Sequence, residues 1–248
     1  MNDQKITCIY RVKNEARFIE QSIKSVVDLC SEIIVLDDNS TDNTVEICSG
    51  FDKVTDIIKQ KELSLDETRD RNYLFEKARK LDPDFILSVD GDEIFMPDAS
   101  EMLFEELFTI HPASDVFEFQ FLTLWDNVHT IRTDGIFGYY WQKRLLRMKN
   151  QPLSLLFVGN DNPGNIHCGS IPPSSLGFGN PAKSSVKIFH LASLDDEGRK
   201  RKYGFYTKTD PDNVLTGAYK HMISGEGKFS GPNGIELEQL PKEFTVNL

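Results

Sequence analysis

Short apolar runs alternate with helical stripes through the first hundred residues. Ile6-Thr7-Cys8-Ile9-Tyr10 predicts a first strand. Phe18, Ile19, Ser22, Ile23, Val26, Val27 and Cys30 then recur at helical spacing and make one apolar stripe. Asn14 is placed to cap that helix, with Glu15 in its first turn. Ile33-Ile34-Val35-Leu36 is a continuous apolar run, as in a strand covered on both faces. The loop after it, Asp37 to Thr44, is rich in residues that turn and cap, and a helix is expected over 42–50. Val54-Thr55-Asp56-Ile57-Ile58 predicts a third strand, 66–80 a third helix with Leu74, Phe75 and Ala78 inward, and 85–89 a fourth strand. This β-α-β-α-β-α-β order predicts a mainly parallel sheet flanked by helices.

Past residue 97 the pattern changes. A helix is expected over 98–109. Residues 116–122 alternate with period two, as does part of 139–148 around Tyr140, Gln142, Arg144 and Leu146. Gly and Pro punctuate 159–181, Val186 to Leu191 predicts one more strand, and 194–207 and 212–223 read as helices. The tail after Gly225 has weak periodicity and reads as a loosely held arm.

Chemistry gathers at the strand ends. The fourth strand stops on Asp90-Gly91-Asp92-Glu93, three carboxylates in four residues. Like charges at that density need a cation or strong donors, and Asp-x-Asp suits a hard divalent cation that also holds phosphates. The second strand stops on Asp37-Asp38, and no EF-hand spacing follows from Asp38. In a doubly wound sheet ligands bind beyond the C-terminal strand ends, so the two clusters share an address.

Composition narrows the class. The chain has 248 residues, with 28 Lys+Arg against 39 Asp+Glu and a formal charge of -11. That balance excludes a general nucleic-acid binder. No apolar run approaches the ~18–20 residues that cross a bilayer, and the N-terminus lacks a signal-peptide h-region. The four cysteines form no C-x-x-C pair and read as reduced thiols, which implies a cytoplasmic setting.

Taken together, Lys13-Asn14-Glu15, Val35-Leu36-Asp37-Asp38-Asn39-Ser40-Thr41-Asp42, Arg71-Asn72, Val89-Asp90-Gly91-Asp92-Glu93 and Phe189-His190-Leu191 resemble a family 2 glycosyltransferase of the GT-A fold. Trp125-Asp126, Arg132 to Gly135, Arg144 to Arg147 and His167-Cys168-Gly169 are similar to pieces of one bacterial branch, whose members build cell-surface polysaccharide. The resemblance implies a Rossmann-like, mainly parallel central sheet with a smaller acceptor-side region of strands, loops and helices. It implies a nucleotide-sugar-binding half at 1–97, an acceptor-binding and metal-completing half at 98–224, and a C-terminal arm at 225–248. It also implies an inverting, metal-dependent transfer from a nucleotide sugar, UDP-sugar favoured, to a glycan, lipid-linked or small acceptor.

Carried over residue by residue, Asp38 accepts from the nucleobase, and Glu15 with the backbone from Tyr10 to Lys13 lines the base and ribose pocket. Arg71 lies at the nucleotide end, Asp90 faces the ribose, and Asp92 and His190 hold Mn²⁺ or Mg²⁺ or the diphosphate. The family's Glu-Asp pair for the catalytic base is missing. Asp134, Asp126 and Asp161 are the candidates, with Asp134 preferred.

Several residues keep a plain alternative. The basic run Arg199 to Lys202 reads as a solvated helix face, with a diphosphate or a peripheral anionic-lipid contact as the other reading. Two other functions fit such a sheet: a sugar-phosphate nucleotidyltransferase, which usually has a glycine-rich loop where Arg11 to Glu15 has none, and a non-catalytic nucleotide-sugar-binding module.

Overall fold

The computed structural model describes residues 4–60, 65–159, 164, 166–215, 217–224, 226–244, 246 and 248. The N-terminal half follows the apolar pattern: strands β1 (Ile6–Val12), β2 (Glu32–Asp37), β3 (Val54–Lys59) and β4 (Phe85–Asp90), with helices α1 (Ile19–Val26), α2 (Thr44–Ser49) and α3 (Glu67–Arg79) between them. β1 pairs in parallel with β2 and β4, and β2 with β3. Alternation along the buried strands divides the core. Cys8, Tyr10, Val12, Ile33, Val35, Leu87 and Val89 face Ile19, Ile23 and Val26 of α1, while Ile9, Ile34, Leu36 and Ile86 face Leu74, Phe75 and Ala78 of α3.

Helix α1 begins later than its candidate cap. Asn14 lies at φ 54°, and its side-chain oxygen accepts from Thr41 N–H (2.8 Å), tying the loop after β1 to the loop after β2. Asn tolerates this left-handed geometry because its side chain bonds locally.

The second half extends the sheet with antiparallel strands. After β5 (Glu93–Phe95) and α4 (Ala99–Glu105), which runs into a π-turn at Glu106–Ile110, come β6 (Val116–Trp125), β7 (Asn127–Arg132), β8 (Trp141–Arg147) and β9 (Ala182–His190). The main sheet path runs β10-β7-β6-β8-β4-β1-β2-β3, where β10 is Leu237–Gln239. β9 lies parallel to β6 and antiparallel to β5. The arm is therefore held, not loose: β10 pairs with β7, and Glu236 O accepts from Thr133 N–H (2.9 Å). Helices α5 (Asp196–Thr209) and α6 (Pro211–Leu215) follow β9. No helix among the described residues is long and apolar enough to cross a membrane.

Candidate active site

The site forms where β1, β2 and β4 end together. Gly91 turns the chain between β4 and β5, and a Cβ there would meet Glu15 Cγ at 2.7 Å and Glu15 Cβ at 2.9 Å. Glycine thus lets the Glu15 side chain lie across the Asp-Gly-Asp turn. The Glu15 carboxyl feels the Asp92 charge, while its backbone N–H donates to Thr44 Oγ1 (2.8 Å) at the end of the loop after β2. Burial first, then the Asp92 charge, push its carboxyl up to about 8.

Asp90 is held by two guanidiniums. Arg71 Nη2 lies 3.1 Å from Oδ1 and Arg144 Nη2 3.1 Å from Oδ2. Burial alone would raise the Asp90 pKa, but Arg144 and then Arg71 outweigh it and hold the carboxyl well below the usual range. Arg71 also donates to Glu67 (2.7 Å) and Ser88 (3.2 Å). Arg144 also grips Glu93 and Ser170. Burial pushes the Glu93 carboxyl well up despite Arg144. In the sequence Arg144 was legible as a residue of a period-two stretch and of a bacterial-branch motif, not as a partner of Asp90. Its buried place in a period-two strand was the available signal, because a buried arginine needs a carboxylate partner.

Asp92 meets His190 through the β5–β9 pairing, which sets Glu93 opposite His190 and leads Asp92 O to accept from Leu191 N–H (2.9 Å). His190 Nε2 lies 3.8 Å from Asp92 Oδ2. Burial is the largest influence on His190 and pulls its pKa down to about 4, against the opposing pull of Asp92. The imidazole is neutral at pH 7 and keeps a lone pair to give. Lys202 of α5 reaches the same oxygen, with Nζ 2.7 Å from Asp92 Oδ2. Burial would raise the Asp92 carboxyl, but Lys202 and then His190 bring it below the ordinary value.

One oxygen and one neutral imidazole nitrogen 3.8 Å apart suit a divalent cation with bonds of about 2 Å to each. Among the described residues no cluster of three or more His, Cys, Asp or Glu side chains could hold a metal ion.

At the other end, Asp38 is buried and paired with Arg11 Nη2 (2.9 Å) and Lys13 Nζ (3.3 Å), both on Oδ2. Arg11 in turn holds the buried Asp70 through Nε (2.9 Å). Tyr10 is fully buried on β1. Its backbone lies inside the β2-β1-β4 ladder and its buried ring faces α1, with the hydroxyl 3.1 Å from Ser22 Oγ. An aromatic ring at an inward register position of a central strand packs in the core and does not reach a ligand.

The candidate bases are not brought to this cluster by any described contact. Asp134 is fully buried, with its oxygens 2.5 and 2.8 Å from Arg132 Nε and Nη2 and accepting from Gly231 and Glu236 N–H. Burial would raise the Asp134 carboxyl, but these donors hold it below its ordinary value, which is wrong for taking up a proton. The Arg132 guanidinium itself lies between Trp125 (4.7 Å) and Phe137 (4.2 Å). Asp126 sits half-exposed at φ 63° in the β6–β7 turn, 2.8 Å from Arg199 Nη1. Asp161 lies outside the described residues. His167 joins a network instead: Nε2 is 2.7 Å from Tyr219 Oη, which donates to Asp210 (2.5 Å). The Tyr219 ring stacks on Tyr206 at 4.2 Å.

A family model described as "Glycosyl transferase family 2" matches residues 7–164. No curated protein sequence matches the chain. Among solved structures, TarS of S. aureus is similar over 89% of this chain and 44% of its own, at 16% identity and a TM-score of 0.48. TarS 1-349 in complex with UDP is similar over 89% of this chain and 70% of its own, at 15% identity and a TM-score of 0.50. Glucosyl-3-phosphoglycerate synthase of Mycobacterium tuberculosis, solved with Mn²⁺, UDP and phosphoglyceric acid, is similar over 49% of this chain and 44% of its own, at 18% identity and a TM-score of 0.36. This chain thus spans less than half the length of the full TarS chain. The TarS 1-349 likeness concerns the fold, which is GT-A. With its sheet, its Asp-Gly-Asp turn and 7–164 matched to the family, the chain belongs to glycosyl transferase family 2.

Proposed function

We propose that the protein transfers a sugar from a nucleoside-diphosphate sugar, UDP-sugar favoured, to a hydroxyl of a glycan, lipid-linked or small acceptor, with inversion and with Mn²⁺ or Mg²⁺. The observation that carries this reading is the convergence of Asp92 and His190 at the end of β4. Those two residues would hold the cation, which when bound neutralises diphosphate charge as the sugar–phosphate bond breaks. The chain's own residues do the rest. Arg71 and Arg144 keep Asp90 ionised and fixed, ready to accept from a ribose hydroxyl. Asp38, turned by Arg11 and Lys13, keeps Oδ1 for an imide N–H, which is the reason for favouring uridine. Asp134 is closed off by Arg132, so of the two described candidate bases Asp126, half-exposed beside Arg199, is the one an acceptor hydroxyl could reach, and it is the candidate for the acceptor proton. On this reading residues 1–97 bind the nucleotide and 98–224 bind the acceptor and complete the metal site. The 225–248 arm braces the acceptor side through Asp134.

A melting panel with uridine, guanosine and adenosine diphosphates, with and without Mn²⁺, tests the reading. A ligand at ~100 times its dissociation constant adds about 2.7 kcal/mol. Uridine diphosphate should stabilise most, and only strongly with Mn²⁺. No shift with any diphosphate would remove the proposal. Pyrophosphate release from a nucleoside triphosphate and a sugar phosphate would replace it with nucleotidyl transfer.

A further inference from the structure

The Asp92 carboxylate has two suitors on one oxygen. Lys202 Nζ sits 2.7 Å from Oδ2, nearer than His190 Nε2 at 3.8 Å. An ammonium at hydrogen-bond distance occupies the space where a cation bonded to that oxygen would sit, and repels it. The site thus carries its own counter-ion, from an element far along the chain.

Helix α5, which presents Lys202, is fixed at both ends. Asp195 caps it by accepting from Gly198 N–H (2.7 Å) and pairs with Arg17. Arg199 Nη1 donates to Ser193 O (2.9 Å) and the guanidinium lies 4.4 Å over Trp125. Beyond the C-terminal end, Tyr219 ties Asp210 to His167, and the Tyr206 ring, one turn after Lys202, lies in that stack. These contacts anchor the helix, while the lysine has a flexible four-carbon stem. The ammonium can leave Asp92 while α5 stays in place.

We propose that Lys202 is an exchangeable counter-ion: its ammonium neutralises Asp92 in the empty site, then turns to the donor's diphosphate when the divalent cation takes Asp92. This rests on the donor-plus-cation reading above and adds the residue that keeps the site from loading metal without nucleotide. The electrostatics favour the exchange. Burial favours the neutral forms of Glu15 and Glu93, and Arg71 and Arg144 are both spent on Asp90, so Lys202 is the cation set against Asp92 in the empty site. Once the divalent cation takes that place, the lysine's best partner is the newly arrived phosphate.

Calorimetric titration of the full chain tests this with Mn²⁺ alone, then with UDP at saturating Mn²⁺. In Lys202→Met the competitor for Asp92 is gone, so Mn²⁺ alone should bind up to about fivefold more tightly, the upper end for a solvent-screened pair. UDP should bind several-fold more weakly, because a phosphate contact is lost. Lys202→Arg should keep Mn²⁺ binding near the parent value. Unchanged or weaker Mn²⁺ binding in Lys202→Met overturns the exchange. Should Lys202→Met fail to fold by circular dichroism, Lys202→Gln carries the same test. Asp92→Asn separates the two claims. If it binds Mn²⁺ like the parent, the cation reading fails and the exchange with it. If it loses Mn²⁺ while Lys202→Met gains nothing, only the exchange fails.

Discussion

Asp92 Oδ2 and His190 Nε2 lie 3.8 Å apart although they come from opposite halves of the chain. A three-residue strand does this: β5 pairs Glu93 with His190 and Phe95 with Ile188, so the end of β9 is fixed against the turn after β4. The imidazole edge also packs against Phe121, with ring centroids 6.0 Å apart. His190→Ala should therefore lower donor turnover by at least tenfold while moving the ligand-free melting temperature by only a few degrees. Equal losses in both would make His190 a packing residue. Steady-state kinetics beside a melting curve decides it.

The pH dependence of stability follows from burial. His190 has a folded pKa of about 4, below the ordinary 6.5. As pH falls from about 6.5 to 4 the unfolded chain takes a proton that the folded chain refuses, so this group's effect is to lower stability through that window. Glu15 acts oppositely. Its carboxyl is raised to about 8, so its contribution falls as pH rises from about 4.5 to 8. His190→Gln should remove the first effect alone, making the variant gain on the parent by on the order of 2 kcal/mol between pH 6.5 and 4. Urea denaturation midpoints across that range measure it, and parallel curves would contradict it. An ordinary imidazole would take its proton near pH 6.5; burial moves that competition lower.

The two candidate bases should separate cleanly. Asp134 neutralises Arg132, whose side chain is 0% exposed. Asp134→Ala leaves a buried charge unpaired and should cost about 3–5 kcal/mol of stability. Asp126→Asn should leave melting nearly unchanged and lower kcat by a hundredfold or more, the usual scale for a general base. A stable, inactive Asp134→Ala would reverse the assignment.

Asp38→Ala should weaken UDP binding by about 1.5–3 kcal/mol, the range for a hydrogen bond to a charged group. The fold should survive, because Arg11 keeps its 2.9 Å pair with Asp70. Parent protein that binds uridine, guanosine and adenosine diphosphates equally would remove the reason for the effect.

The parallel half of the sheet was legible because each strand is a continuous apolar run and each helix carries one stripe, so local pattern and global fold agree. Asp90, Asp92 and His190 were legible as strand-end residues. What escaped depends on distant partners. β7 and β10 have little apolar pattern, and β10 is exposed along its length; β7 is a strand through its pairing with β6 and β10, and β10 through its pairing with β7. Asn14 looked like a helix cap because its bond to Thr41 crosses between loops. Asp134 looked free because nothing local shows that Arg132 turns back on it under two aromatic rings. Lys202 read as part of a solvated basic face until α5 was seen to lean on the carboxylate cluster.

Titration of UDP into the parent and into Asp92→Asn, each with and without Mn²⁺, bears most directly on the central claim. The parent should bind UDP much more tightly with Mn²⁺. Asp92→Asn, with its shape kept and one anionic oxygen removed, should bind UDP weakly and equally in both conditions while melting near the parent temperature. An Asp92→Asn variant that shows the parent's full Mn²⁺ enhancement would contradict the assignment of this turn as the metal and diphosphate site.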